Sequence, residues 1–140
     1  MEIHSLTTVP AIWTDPVLTR TEAGSLLSQP HHTLLAINNG AGGHLLARLM
    51  PQTPADILTL YIPESCRRQG HAKALVEAVI ITAKTAGCTG LTLEVNATNT
   101  AAINLYRVCG LQQVAIRANY YHDPVSNLKA DALVLAVSLA

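Results

Sequence analysis

A short basic turn constrains this chain more than any other segment. The turn, RRQGHA at residues 67–72, connects an extended apolar run at residues 56–62 to a helical pattern at residues 73–86. The first amides of a helix lack intrahelical partners and its dipole adds a partial positive charge, so an anion is the natural ligand of a helix start. The basic side chains, Lys73 among them, add full charges, and Gly70 leaves the backbone open to close approach. The sequence therefore predicts a phosphate site, with an ordinary solvated connection as the alternative.

Two better-known phosphate motifs are missing from the sequence. A Walker loop requires Gly-Lys-Ser/Thr four residues after a glycine, and a dinucleotide fingerprint requires three spaced glycines. Residues 56–86 contain only Gly70. The pattern therefore favours a diphosphate site of another type.

Three ordered motifs resemble one superfamily. The turn fits the Q/R-x-x-G-x-G/A signature of the GNAT superfamily of acetyl-CoA-dependent N-acetyltransferases. LEVNATN at residues 93–99 and AAINLY at residues 101–106 resemble its L-E-V-x-x-x-N-x-x-A-x-x-L-Y segment. RANYY at residues 117–121 resembles the R-x-N-Y-Y segment of its ribosomal-protein-alanine N-acetyltransferase branch. The resemblance implies transfer of acetyl from acetyl-CoA to the N-terminal alanine of a small-subunit ribosomal protein.

Hydrophobic periodicity predicts strands and helices in a mixed order. The nearly continuous apolar run at residues 56–62 is typical of a central strand covered on both faces. The predicted elements are a hairpin with strands at residues 33–37 and 44–50, that central strand, a helix at 73–86, a strand at 91–95, a helix that ends near Gly110, and strands at 112–117 and 132–139. We expect an α/β (α+β) fold in a single domain over residues 1–140. The resemblance implies a GNAT-like, mostly antiparallel central sheet with helices on both faces.

The N-terminal region departs from the family pattern. Too few residues precede Trp13 for a strand and a full helix, and Pro10 lies among them, so the first helix is expected to be shortened or lost. WTD at residues 13–15 resembles the W-S/T-E/D segment of the family, and a helix is expected near residues 16–27. In the family, the segment that links the first two helices helps to shape the acceptor groove.

Acetyl transfer to an amine requires a base, a stabilised oxyanion and an acid for the departing thiolate. Glu94 lies on an otherwise apolar strand, where desolvation would let its carboxylate accept a proton near neutral pH. A solvated glutamate on a half-exposed strand is the alternative. The resemblance implies that Glu94 is the general base, because the branch places that residue in its L-E-V motif.

Asn99 and Tyr106 are two helical turns apart and therefore share one face of the predicted helix. A tyrosine that only packs its ring on the core is the alternative for Tyr106. The resemblance implies that Tyr106 is the general acid that protonates the coenzyme A thiolate. It also implies that Asn99 contacts the cofactor.

The resemblance implies the remaining site residues as well. Main-chain groups of the strand before the turn would bind pantetheine and polarise the thioester, at Leu60, Tyr61 and Ile62. Cofactor phosphates would lie against Arg67, Arg68, Gln69, Gly70, His71, Ala72 and Lys73. The acceptor amine would lie near Trp13, Asn119, Tyr120 and Tyr121, for which a polar turn that covers apolar surface is the alternative.

Composition and charge narrow the class of partner. The formal net charge of +0 argues against nucleic acid as a direct partner. The three cysteines lack CxxC spacing, which indicates a reduced cytoplasm and small buried thiols, with a reactive thiolate at Cys66 beside two arginines as the alternative. The histidines lack zinc-ligand spacing, so no metal is assigned. No signal peptide or membrane span is apparent. We therefore expect a cytoplasmic protein, a monomer or weak dimer, with a protein N-terminus as acceptor and no membrane partner.

Two rival functions remain open from the sequence. One is a GNAT enzyme that acetylates a small amine or a lysine side chain, and the other is an acetyl-CoA-binding module without turnover. The presence of both Glu94 and Tyr106 disfavours the second, since a binding module requires neither. Direct transfer is expected, because no Cys or Ser lies in a nucleophile motif.

Overall fold

The protein is built around one mixed β-sheet, seen in a computed structural model that describes residues 1–139. The strands are β1 (Ile3–Leu6), β2 (His32–Ile37), β3 (Gly43–Arg48), β4 (Pro54–Tyr61), β5 (Gly90–Asn96), β6 (Gln112–His122) and β7 (Lys129–Ser138). The helices are α1 (Arg20–Leu27), α2 (His71–Thr85) and α3 (Thr100–Val108), with short 3-10 turns at Asn38–Gly40 and Glu64–Cys66. The strand order is β1-β2-β3-β4-β5-β7-β6, and each neighbouring pair is antiparallel except β4 and β5. The predicted fold class is confirmed.

Helices cover both faces of the sheet. On one face, α2 and α3 pack on an aliphatic core to which the sheet contributes Leu35, Leu45, Leu91 and Leu93. On the other face, the paired residues Leu34 and Leu46 are fully buried, and α1 contacts β2 there through its own buried Ala23. The two faces of β2 and β3 are therefore both apolar, as expected for strands between helical layers.

Local sequence explains where the helices begin. α1 starts with a capping box in which Thr19 and Glu22 each accept a hydrogen bond from the other's backbone amide. Asn99 caps α3 by accepting from the amide of Ala102 at 3.2 Å. α2 lacks a side-chain cap and follows Gly70, whose φ of +79° is accessible to glycine without strain.

The N-terminal region lacks a complete pair of helices. Residues 7–15 contain no helix, as the sequence predicted. The helix expected at residues 16–27 begins only at Arg20. The reason is local: the carboxylate of Asp15 accepts from the amides of Val17 and Leu18 at 2.9 and 3.0 Å, and this turn delays the helix start.

β6 and β7 extend further than hydrophobic alternation predicted. β6 continues to His122 through a shift in register between Arg117 and Tyr121, and Asn119 lies within that irregularity with φ of +53°. Residues 118–120 of β6 oppose only residue 131 of β7, and extra residues in one strand break the two-residue side-chain period without ending the pairing. The loop expected at residues 122–129 is correspondingly shorter.

A β-bulge interrupts the pairing of β4 with β3. Ala47 of β3 pairs with Ile57 and Leu46 pairs with Thr59, so Leu58 between them is unpaired. β4 and β5 pair only from Pro54↔Gly90 to Asp56↔Thr92 and then diverge. Leu58 is 44% exposed, so the expected double coverage of this strand is wrong for its second half.

The cysteines differ in burial. Cys88 is buried, whereas Cys66 in the turn before α2 and Cys109 at the end of α3 are partly exposed, so the expectation of buried thiols holds for Cys88 alone. All three are free. No helix within residues 1–139 is long and apolar enough to cross a membrane.

Candidate active site

A cleft of about 890 Å³ opens where β4 and β5 diverge. Its walls are formed by residues 57–62 and 93–96 of the two strands, by the turn before α2, and by one side of α3. Leu60 and Tyr61 pair with β3 along one edge, whereas within residues 1–139 their opposite edge has no strand partner. The backbone groups of that edge are therefore available to a ligand, as at the carboxyl ends of other parallel strands.

Glu94 and Tyr106 line this cleft from opposite faces of the sheet. Leu93 and Val95 are buried beneath the helices, so Glu94 between them points to the other face. Tyr106 is 8% exposed and belongs to the core beneath α2 and α3. The gap between β4 and β5 thus connects the two sheet faces, with a carboxylate on one side and a phenol on the other.

Arg117 holds the carboxylate of Glu94. Its Nη1 donates to Oε1 at 2.6 Å, and its guanidinium lies 4.1 Å from the centre of the Tyr120 ring. The hydrogen bond that Arg117 donates to Glu94 raises the pKa of Arg117. The side chain of Glu94 is 33% exposed. The sequence predicted a desolvated carboxylate, but Glu94 is partly exposed and ion-paired, because Arg117 of β6 reaches across β7.

Tyr106 presents a protonated phenol to the cleft. Burial, with smaller contributions from Cys109 and Tyr121, raises the pKa of Tyr106 to about 12. Within residues 1–139 no side-chain polar atom is both buried and without a hydrogen-bond partner. Because the hydroxyl of Tyr106 bonds to no group of this part of the chain, it contacts the open space of the cleft. A phenol in this state donates a hydrogen bond to a ligand at neutral pH.

The start of α2 is open to the same cleft. No side chain caps it, so the N–H groups of His71, Ala72 and Lys73 lack intrahelical partners. A Cβ on Gly70 would meet nothing within 4 Å, which shows open space beside these amides. Arg68 and Lys73 add positive charge to the cleft wall. Free amides together with cations fit a phosphate or diphosphate group.

Hydrogen bonds fix this turn before any ligand binds. His71 Nδ1 donates to the carbonyl of Gly42 at 2.8 Å, which ties the helix start to the β2–β3 hairpin. Arg67 Nε donates to the carbonyl of Ile62 at 3.0 Å and closes the turn after β4. A site that is already ordered loses less entropy on binding.

The acetyltransferase (GNAT) family model matches residues 2–111 of this chain. The chain belongs to the GNAT family. The predictions of family and of enzyme class are thereby confirmed. A relative in Escherichia coli strain K12, the [ribosomal protein bS18]-alanine N-acetyltransferase, is 35% identical over 101 residues, which cover 70% of this chain and 67% of that protein.

Solved structures share the fold of this GNAT protein. The crystal structure of the ribosomal-protein-S18-alanine N-acetyltransferase from Escherichia coli has a TM-score of 0.80 and 24% identity, and the match covers 99% of this chain and 94% of that one. Arabidopsis thaliana NAA60 in complex with acetyl-CoA has a TM-score of 0.68 and 20% identity, with 80% and 78% covered.

The GNAT protein brings most of the predicted site residues into one cleft. The predicted residues that line it are Leu60, Tyr61, Ile62, Arg67, Arg68, Gly70, His71, Ala72, Lys73, Glu94, Asn99, Tyr106 and Tyr121. Burial and the neighbouring charge of Glu94 raise the pKa of Tyr121, which lies on the Glu94 side of the site.

Four predicted residues are outside the cleft wall. Gln69 turns back and donates to the carbonyl of Ser65 at 3.3 Å. The amide of Asn119 donates to Asp131 at 2.9 Å within the irregular part of β6. Tyr120 packs edge-on against Tyr121 and supports Arg117. Trp13 stacks on His44, with 3.9 Å between ring centres, instead of facing the cleft.

A buried pair formed by Asp15 and His44 was not predicted from the sequence. His44 Nε2 lies 3.0 Å from Asp15 Oδ2, and each side chain is 2% exposed. Thr59 of β4 donates to the same oxygen at 2.9 Å. Burial lowers the pKa of His44, although Asp15 acts in the opposite direction. The WTD segment pointed to Asp15, but the long separation along the chain hid its partner on β3.

A second hollow, of about 660 Å³, lies at the other end of β5 near Pro54, Gly110 and Val114. Its lining contains no acidic, basic, histidine or cysteine side chain. Within residues 1–139 no group of three or more His, Cys, Asp and Glu residues could hold a metal ion. Of these two hollows, only the cleft between β4 and β5 is lined by titratable side chains.

Proposed function

We propose that this protein transfers the acetyl group of acetyl-CoA to a protein N-terminus, namely the N-terminal alanine of a small-subunit ribosomal protein. One observation carries the proposal: a single cleft joins an open cationic helix start to Glu94 and Tyr106. The similarity to the bS18-alanine N-acetyltransferase of Escherichia coli supports this class of acceptor.

The coenzyme is proposed to lie on the α2 and α3 side of the gap. The amides of His71, Ala72 and Lys73 would bind its diphosphate, with Arg68 adding charge. Backbone groups of residues 60–62 would bind the pantetheine arm along the unpaired edge of β4. The bound acetyl-CoA would supply the thioester that is cleaved.

Glu94 is proposed to accept the proton of the acceptor amine, directly or through water. Arg117 occupies Oε1, and within residues 1–139 nothing donates to Oε2, which is free to face the amine. Acceptance of the proton by this oxygen would leave the nitrogen lone pair available for attack on the thioester carbonyl.

The ordinary pKa values of the two amines favour an N-terminal amine over a lysine side chain as the acceptor. The ordinary pKa of an α-amino group is about 7.7–8.0, against about 10.4 for lysine. At neutral pH an N-terminal amine is therefore already partly deprotonated, and a modest base suffices.

Tyr106 is proposed to donate its proton to the departing thiolate. Its pKa of about 12 exceeds the ordinary thiol value of about 8.5, so the phenol holds its proton until negative charge develops next to it. The first contribution of Tyr106 is thus a hydrogen bond to the developing thiolate. Proton transfer follows more readily in the cleft, because desolvation makes a thiolate more basic.

The proposal is tested by intact-mass analysis of amines incubated with the protein and acetyl-CoA. The panel has three members. The first is a peptide with a free N-terminal alanine, and the second is the same peptide with its N-terminus formylated and with an internal lysine. The third is a set of small polyamines. Acetylation of the free alanyl peptide alone supports the proposed acceptor. Acetylation of the formylated peptide or of a polyamine supports the rival enzyme. Binding of acetyl-CoA by calorimetry without any product would contradict a transferase.

A further inference from the structure

The buried pair of Asp15 and His44 lies on the Glu94 face of the sheet. Thr59, which donates to Asp15, pairs with Leu46, and two residues further along β3 Arg48 pairs with Asp56. Asp56 pairs in turn with Thr92, two residues before Glu94. Cross-strand partners and alternate residues share a sheet face. The pair is therefore on the side opposite to Tyr106 and α3.

Asp15 is the point at which residues 13–18 attach to the sheet. Its carboxylate accepts four hydrogen bonds, from the amides of Val17 and Leu18, from Thr59 and from His44. Trp13 closes the arrangement, since its ring stacks on His44 and its Nε1 donates to the carbonyl of Leu18 at 2.8 Å. A buried carboxylate with several donors has little freedom to move.

Residues 13–18 have no secondary structure of their own to fix them. Nevertheless Asp15, Pro16 and Val17 form part of the cleft wall, and Val17 is 84% exposed. The segment is held by the buried carboxylate of Asp15 together with Trp13, so loss of the carboxylate would displace the wall.

We propose that Asp15 and His44 are positioning residues that hold residues 13–18 as the acceptor-side wall of the cleft. The pair sets the affinity for the acceptor without contributing to acetyl-CoA binding, because it acts on the Glu94 face and does not touch the start of α2. This inference rests on the proposed function, in which the acceptor approaches from the Glu94 face.

The test begins with Asp15→Asn, compared with Asp56→Asn as a matched control. The asparagine oxygen still accepts from the turn amides, but its NH2 group cannot accept from Thr59 or His44. Asp56 is a carboxylate on β4 outside the cleft, paired with Arg48. We expect Asp15→Asn to raise the acceptor KM at least about tenfold, the effect of losing bonds to a charged group, with nearly unchanged acetyl-CoA affinity by calorimetry. Asp56→Asn should change neither quantity.

Trp13 gives a readout that is independent of turnover. It is the single tryptophan of the chain and stacks on His44. Release of residues 13–18 should therefore increase the quenching of its fluorescence by acrylamide in Asp15→Asn and leave Asp56→Asn unchanged. His44→Gln, which keeps a donor for Asp15, should retain more acceptor affinity than His44→Leu, which keeps none. Thr59→Val removes one of the four bonds and replaces Asp15→Asn if that variant does not fold.

The outcomes separate this inference from the proposed function. If the wild type acetylates an amine other than an N-terminal alanine, the acceptor KM of the variants is compared with that amine. If nothing turns over, calorimetry in the presence of coenzyme A compares the affinity of the variants for the acceptor. Increased quenching of Trp13 with a raised acceptor KM supports the inference. Unchanged acceptor KM, or an equal loss of acetyl-CoA affinity, would overturn it and leave the transferase assignment standing.

Discussion

Arg117 on the edge strand reaches across β7 to Glu94 on β5, with 2.6 Å between Nη1 and Oε1. On β7, Arg117 pairs with Ala132 and Glu94 pairs with Val134, so both side chains lie on one face of the sheet. The small side chain of Ala132 leaves room for the guanidinium to cross. The pairing of three strands therefore determines the charge next to the proposed base.

Replacement of Arg117 by Gln tests the role of this ion pair. We expect kcat/KM to fall about tenfold, because the carboxylate of Glu94 loses the hydrogen bond that fixes Oε1 in the cleft. The urea midpoint should change little, since the pair is partly exposed. Steady-state kinetics and urea unfolding provide the two measurements. An unchanged kcat/KM would show that Arg117 does not position the proposed base.

Replacement of Glu94 by Gln removes the proposed base. We expect kcat to fall by about 10²-fold or more, because general base catalysis contributes 10²–10⁴-fold. Affinity for acetyl-CoA should stay nearly constant, since the carboxylate lies on the other face of the sheet from the start of α2. Glu77→Gln on the exposed side of α2 is the control. A parallel loss of coenzyme affinity would indicate a structural role.

Replacement of Tyr106 by Phe keeps the ring in the core and removes the hydroxyl. We expect kcat to fall by about 10²-fold, with little change in the urea midpoint, because no bond within the described chain is lost. A substrate with an activated thiol leaving group should restore much of the rate. Full activity of Tyr106→Phe with acetyl-CoA would exclude the phenol as the acid.

Charge reversal at Arg68 tests the phosphate site. Arg68 is preferable to Arg67, because Arg67 also closes the turn through its bond to Ile62. We expect Arg68→Glu to weaken acetyl-CoA binding at least about tenfold in calorimetry at low salt and less at high salt, where charges are screened. Lys129→Glu makes the same change in net charge at an exposed position outside the cleft. An equal loss of acetyl-CoA affinity in both variants would indicate that Arg68 acts only through the overall charge of the protein.

His44 should make the protein less stable at mildly acidic pH. Burial lowers the pKa of His44 below its usual 6.5, so the unfolded chain takes up a proton that the folded chain does not. Stability is therefore retained above pH 6.5 and decreases as the pH falls below it. Asp15 adds a second loss below about pH 3.8: burial raises its pKa, but hydrogen bonds from Leu18, Val17, His44 and Thr59 lower it by more.

Urea unfolding as a function of pH measures this effect. His44→Gln should lower the stability at pH 7 and remove the decrease just below pH 6.5. His32→Gln, at a less buried position on β2, should retain that decrease. A wild-type free energy of unfolding that stays constant from pH 7 to 5 would contradict the expectation.

The central part of the fold followed from local sequence. Hydrophobic periodicity predicted α2, the strand β5 and a second helix that ends near Gly110. The errors lie where one side chain or an extra residue in a strand interrupts the regular pattern. Asp15 delayed α1 by bonding to nearby amides, the bulge at Leu58 exposed the middle of an apolar strand, and the irregularity at Asn119 extended β6 past its alternating pattern.

By itself, the sequence determined the basic turn with its open helix start and the family to which the chain belongs, because these depend on residues close together in the chain. Tertiary structure decided what surrounds each functional group. Cross-strand pairing brought Arg117 to Glu94, and the divergence of β4 from β5 opened the gap between carboxylate and phenol. The buried contact of Asp15 with His44 arises for the same reason: electrostatic environment depends on neighbours in space, and long-range pairing assembles those neighbours from separate parts of the chain.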